Sequence, residues 1–104
     1  MLPLKFRKKS YARILCCIAR ATEDGGISLV QLCTLFKQHF NEECPTGVAM
    51  ALTNELQNAG YVKVAVGSNL WRCTDQGMSV ANEIISTTPH LLEKTTSPML
   101  AMHP

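Results

Sequence analysis

The stretch GYVKVAVGSNLWRCTDQG, residues 60–77, limits what this chain can fold into more than any other part of it. Tyr61–Ala65 and Leu70–Cys73 are β-prone runs, and the Gly67-Ser68-Asn69 segment between them has turn chemistry. Helical periodicity precedes the stretch and follows it, so the two runs have chiefly each other to pair with. An antiparallel hairpin set between helices is the expected outcome.

The flanking segments read as follows. Tyr11, Ile14, Leu15, Ile18 and Ala19 recur at helical spacing, which predicts a first helix from Lys9 to about Thr22 with one buried face. At about 100° per residue, Lys9, Arg13, Cys16 and Arg20 fall on the opposite, polar face. Glu23-Asp24-Gly25-Gly26 ends that helix, and Ile27 is placed as a strand of one or two residues. Ser28 is a suitable N-cap for a second helix running to about Phe40. After the acidic Asn41–Pro45 connection, Thr46 is expected to cap a third helix that stops at Gly60. Val48, Leu52, Leu56 and Ala59 are expected on its buried side, with Thr46, Met50, Thr53, Asn54 and Gln57 outward. Thr74 caps a fourth helix carrying Met78, Ala81, Ile84 and Ile85. The last residues have three prolines and no sustained period, which reads as a tail.

Charge is unevenly distributed. The formal net charge is only +2, yet residues 1–20 hold Lys5, Arg7, Lys8, Lys9, Arg13 and Arg20 with no acid. Such an end either contacts phosphate or stands as a solvated arm. Hydrophobic residues at 46% and charged residues at 17% suit one globular domain. No apolar run reaches the roughly 18–20 residues of a membrane span, and no secretory signal is visible. Five cysteines without a CxxC motif fit a reduced, cytoplasmic setting.

The order helix, short strand, helix, turn, helix, hairpin, helix is that of a winged helix-turn-helix. LTNELQNAGYV followed by NLWRCTDQGMSVANEI resembles the region of MarR- and PadR-type bacterial regulators where a recognition helix meets the wing. Leu52, Leu56, Gly60, Tyr61 and Val62 match the first part of that pattern; Cys73, Thr74 and Gly77 match the second, with Cys73 in place of the usual leucine. Two departures stand out. The Asn41–Pro45 turn is longer and more acidic than usual, and the wing tip Val66–Asn69 has no basic residue.

The resemblance implies an α+β winged-helix domain over residues 9–86, with three core helices, a two-stranded wing and a C-terminal helix. A basic arm (1–8) precedes it and a flexible tail or dimerisation segment (87–104) follows. It implies double-stranded DNA as partner, with helix 46–59 in the major groove and wing 61–73 near the backbone. Asn54 and Gln57 suit adenine edges, Thr53 and Met50 suit thymine methyls, and Thr46 completes the base-reading set. Lys5, Arg7, Lys8, Lys9, Lys63 and Arg72 are the expected phosphate contacts. A homodimer joined through the first helix and the segment after the fourth is also implied. Because winged helices also join proteins, an adaptor without DNA contact is the alternative reading. A DNA partition or replication accessory role shares the DNA chemistry.

No catalytic constellation, cofactor motif or metal-ligand spacing is present, so the expectation is a non-enzyme without metal or cofactor. Cys16 and Cys17 lie off the apolar stripe with Arg13 and Arg20 within a turn, an arrangement that favours thiolate. They are read either as redox-active or as boundary residues covered by a dimer partner.

Overall fold

The computed structural model describes residues 2–93. Within them the chain forms four α-helices: α1 (Lys9–Thr22), α2 (Leu29–Phe40), α3 (Thr46–Asn58) and α4 (Asp75–Thr87). Strands β1 (Val62–Val64) and β2 (Trp71–Cys73) lie between α3 and α4, and short 3-10 turns occupy Leu4–Arg7 and Pro89–Leu92. The result is a small α+β arrangement whose element order is compatible with a winged helix. Residues 94–104, which carry most of the expected tail including Met99 and Leu100, lie outside the described residues.

The expected antiparallel hairpin forms, with strands shorter than the two β-prone runs. Val62 faces Cys73, Lys63 faces Arg72 and Val64 faces Trp71. The Ala65 N–H extends the ladder to the Leu70 carbonyl at 2.9 Å. Because side chains alternate along a strand, Val62, Trp71 and Cys73 turn to the core while Lys63 stays exposed on the other face. Ile27 forms an isolated antiparallel bridge beside the hairpin, exchanging both backbone bonds with Trp71 at 3.0 and 2.7 Å.

Helix starts follow local chemistry. Ser28 and Gln31 form a reciprocal capping box at α2, each backbone N–H reaching the other's side-chain oxygen at 3.2 Å. Thr74 caps α4 by accepting from the Gly77 N–H at 3.1 Å, and its hydroxyl donates to the Gly60 carbonyl at 2.7 Å. A Cβ at Gly77 would stand 2.0 Å from the Tyr61 carbonyl oxygen. The threonine-to-glycine spacing thus docks the first turn of α4 onto the strand backbone. At α3 the expectation is corrected: Pro45 holds the N-cap position and Thr46 is the first helical residue, with no side-chain cap.

The largest departure from the sequence reading is α1. It packs against β2, α2, α3, α4 and both 3-10 turns, so it is enclosed and not half-solvated. Arg13, expected on the polar face, is only 2% exposed. Its Nε donates to the Leu91 carbonyl at 3.0 Å and one Nη to the Glu93 carbonyl at 2.7 Å. The other Nη pairs with the Glu42 carboxylate, and the guanidinium lies 4.7 Å from the centroid of the Phe40 ring. An arginine is kept inside when its donors are met in this way. The acidic Asn41–Pro45 turn acquires a purpose here: Glu42 pairs with Arg13 and Glu43 with Lys37 at 2.6 Å.

Both ends of the described chain join the core. Phe6 is fully buried and meets Tyr61 edge-on, ring centroids 4.9 Å apart. The residues read as an arm therefore include a core anchor. Leu91, in the segment read as a tail that docks on the body or on a partner, is buried in its own chain beneath the Arg13 clamp.

Candidate nucleic-acid interface

Helix α3 buries Ala49, Thr53 and Leu56, an i, i+4, i+7 seam, with Leu52 half-buried beside it. Small Ala49 fills the position expected for Val48, which is instead exposed, as is Ala59. Thr53 is withdrawn from the base-reading set because it has no exposed surface. Burial is tolerable there since its hydroxyl donates to the Met50 carbonyl within the same helix at 2.9 Å. Thr46, Met50, Asn54 and Gln57 are exposed as expected. The corrected seam also turns Gly47, Ala51 and Asn58 outward, three positions the sequence reading passed over. A threonine at an apolar spacing was the available signal, and its polarity masked it.

The expected phosphate contacts separate into two groups and one exception. Lys5 is the exception: its Nζ lies 3.7 Å from the Glu55 carboxylate and 5.3 Å from the Tyr11 ring centroid. Tyr11 donates its hydroxyl to the same carboxylate, which raises the phenol's pKa; burial and the Glu55 charge act in the same direction. These contacts tie the amino-terminal segment to α3. Arg7, Lys8 and Lys9 continue from that anchor, all exposed and without an ion pair among the described residues. The second group is Lys63 and Arg72, which face each other across the hairpin that leaves α3 at Gly60. Neither has an acidic partner among the described residues. Like charges directly opposed across strands destabilise a sheet, so this pair is retained at a cost.

Cys16 and Cys17 do not have the activating environment read from their neighbours. Arg13 turns away into the core, and the remaining cation, Arg20, only partly opposes the effect of burial at Cys17. Burial pushes the Cys16 thiol up to about 11 and Cys17 to about 12. Cys17 is buried within its own chain, whereas Cys16 is half-buried and lines a groove with Ala19 and with Met78 and Ala81 of α4. Burial likewise lifts Cys44 to about 11 and Cys73 to about 12. Among the described residues no three His, Cys, Asp or Glu side chains converge as a metal site, and no helix is long and apolar enough to cross a membrane.

These thiols carry a testable pH dependence. The folded state retains protons that the unfolded chain releases above its ordinary thiol value of 9.0, so stability is full below pH 9 and falls as pH rises toward 11–12. Thermal unfolding followed by circular dichroism from pH 8 to 11 should show that decline. Cys17→Ala should flatten it. Iodoacetamide should alkylate the native Cys16 thiol about a hundredfold more slowly at pH 8 than an unfolded one, from its reduced thiolate fraction alone.

No protein-family model matches the chain, and no curated protein or solved structure matches it.

Proposed function

We propose that the chain is a winged-helix transcriptional regulator that binds duplex DNA, laying α3 in the major groove and the β1–β2 hairpin against the backbone. One observation carries the reading. An exposed helix face with hydrogen-bonding side chains and little charge is accompanied by cations that have no ion pair among the described residues: Lys8 and Lys9, which follow the Lys5–Glu55 contact in the chain, and Lys63-Arg72, just beyond Gly60. Arg7 lines a groove with Glu83 and Thr87 of α4. In such a complex Asn54, Gln57 and Thr46 address base edges, Met50 meets thymine methyls, and the cations hold phosphates. Asn58 joins the base-reading set in place of Thr53. A partition or replication accessory role uses the same contacts.

A second reading, a protein-binding adaptor, is favoured by apolar side chains left in solvent. Val30 is 69% exposed, and Val48, Met50 and Val66 are also open. Binding to genomic duplex fragments across a salt series separates the two. Asn54→Ala should cost about 1–3 kcal/mol on the preferred fragment and narrow its margin over random DNA. Lys8→Ala should weaken all fragments alike and reduce the salt slope by about one unit. Negligible binding by the native chain at low salt would replace the DNA reading with the adaptor.

A further inference from the structure

Lys63 and Arg72 also form the walls of a cleft of about 490 Å³ between the outer face of the hairpin, the end of α1 and the first turn of α4. Most of its polar lining is already committed. Thr22 donates its hydroxyl to the Ile18 carbonyl and accepts from the Cys73 N–H; Thr74 donates to the Gly60 carbonyl and accepts from the Gly77 N–H. What remains is the Lys63 ammonium, the Arg72 guanidinium, the Gln76 amide and one carboxylate, that of Asp75. The Arg72 Nε is buried and has no hydrogen-bond acceptor, a state that leaves its desolvation uncompensated.

The arginine is also held in place. A Cβ at Gly26 would come within 2.9 Å of the Arg72 Cγ, so the bare glycine backbone is what lets the arginine stem lie there. Gly26 has φ +114°, a conformation other residues rarely adopt. A guanidinium fixed by its stem, facing an ammonium across the strand pair, is preorganised for an acceptor with several oxygens.

We infer that this cleft binds a phosphate group, with the Arg72 guanidinium and the Lys63 ammonium as its charged ligands and Gln76 as a neutral donor. A phosphate offers three oxygens to the guanidinium fork, the ammonium and the amide, where a carboxylate offers only two. Asp75 lines the same cleft and offsets one of the two cations, so a single phosphate is favoured over the more highly charged di- or triphosphate. The phosphate comes either from a nucleic-acid backbone or from a free phosphate or phosphomonoester. The site goes beyond the DNA reading, since it stands whether or not α3 touches bases.

The test titrates the full chain with inorganic phosphate at constant ionic strength, set against sodium chloride, and follows backbone amides by NMR. Saturable shifts centred on Lys63, Arg72 and Gln76 are expected. Lys63→Gln, at an exposed position, should weaken phosphate binding about tenfold, and Arg72→Lys should weaken it too because the fork is lost while the charge is kept. A duplex of about two helical turns, added in a parallel series, identifies the source. If Lys63→Gln lowers duplex and phosphate affinity together, the phosphate is that of a backbone. If it lowers only phosphate affinity, the ligand is a free anion. Phosphate shifts without any duplex binding would sink the DNA reading and leave this site standing. Shifts no larger than those with chloride, in the native chain, would overturn the site even if duplex binding persisted.

Discussion

Replacing Arg13 with alanine should destabilise the fold by about 3 kcal/mol or more, read as a lowered urea midpoint at unchanged slope. The side chain makes three kinds of contact at once. It satisfies the carbonyls of Leu91 and Glu93, pairs with Glu42 and lies over Phe40. Alanine leaves the Leu91 carbonyl without this donor beside a cavity, and releases the Pro89–Leu92 turn from α1. Arg13→Lys should recover only part of the loss, because one ammonium cannot span acceptors arranged around a planar fork. Glu42→Gln should cost far less: the carboxylate is 44% exposed and the two carbonyl bonds survive its removal. A midpoint for Arg13→Ala matching the native chain would show that the clamp contributes nothing.

The contrast between Arg13 and the hairpin shows what a single sequence reveals. The antiparallel pairing of β1 and β2 follows from two β-prone runs around a short turn, and the starts of α2 and α4 from the capping residues Ser28 and Thr74. Each signal is local, and each is legible. The environment of α1 depends on six other elements, the last of them nearly eighty residues away. Helical periodicity assigns a polar face to Arg13 and Cys16 because arginine is usually solvated, and no local pattern announces that two carbonyls and a glutamate will meet it. The same limit explains Thr53. On α3 two seams one residue apart compete, Val48–Leu52–Leu56 and Ala49–Thr53–Leu56, and hydropathy favours the first. The fold takes the second, where an alanine lets neighbouring elements approach and a threonine bonds its own helix. The expected outward set survives apart from that residue, since Thr46, Met50, Asn54 and Gln57 lie outside either seam.

Phe6→Ala should be as damaging as Arg13→Ala, about 3–5 kcal/mol, the range for deleting a buried aromatic ring. The ring is fully enclosed and packs edge-on against Tyr61 at an interplanar angle of 86°. Tyr61 leads into β1, so the vacancy would open beneath the junction of α3 and the hairpin. This matters for any test of the basic segment, because Phe6 lies between Lys5 and Arg7 in the same 3-10 turn. Deleting residues 1–8 removes exposed cations and a core anchor together, and lost DNA affinity would then report unfolding as much as missing phosphate contacts. Point changes separate the two causes. Lys8→Ala, at an exposed position, should leave the urea midpoint within about 0.5 kcal/mol of native while lowering the salt dependence of DNA binding. Phe6→Ala should lower the midpoint sharply and, under conditions where it remains folded, keep the native salt slope, since it removes no charge. A native-like midpoint for Phe6→Ala would return residues 1–8 to the status of a free arm, and a changed slope in the folded variant would mean the ring helps to aim the cations.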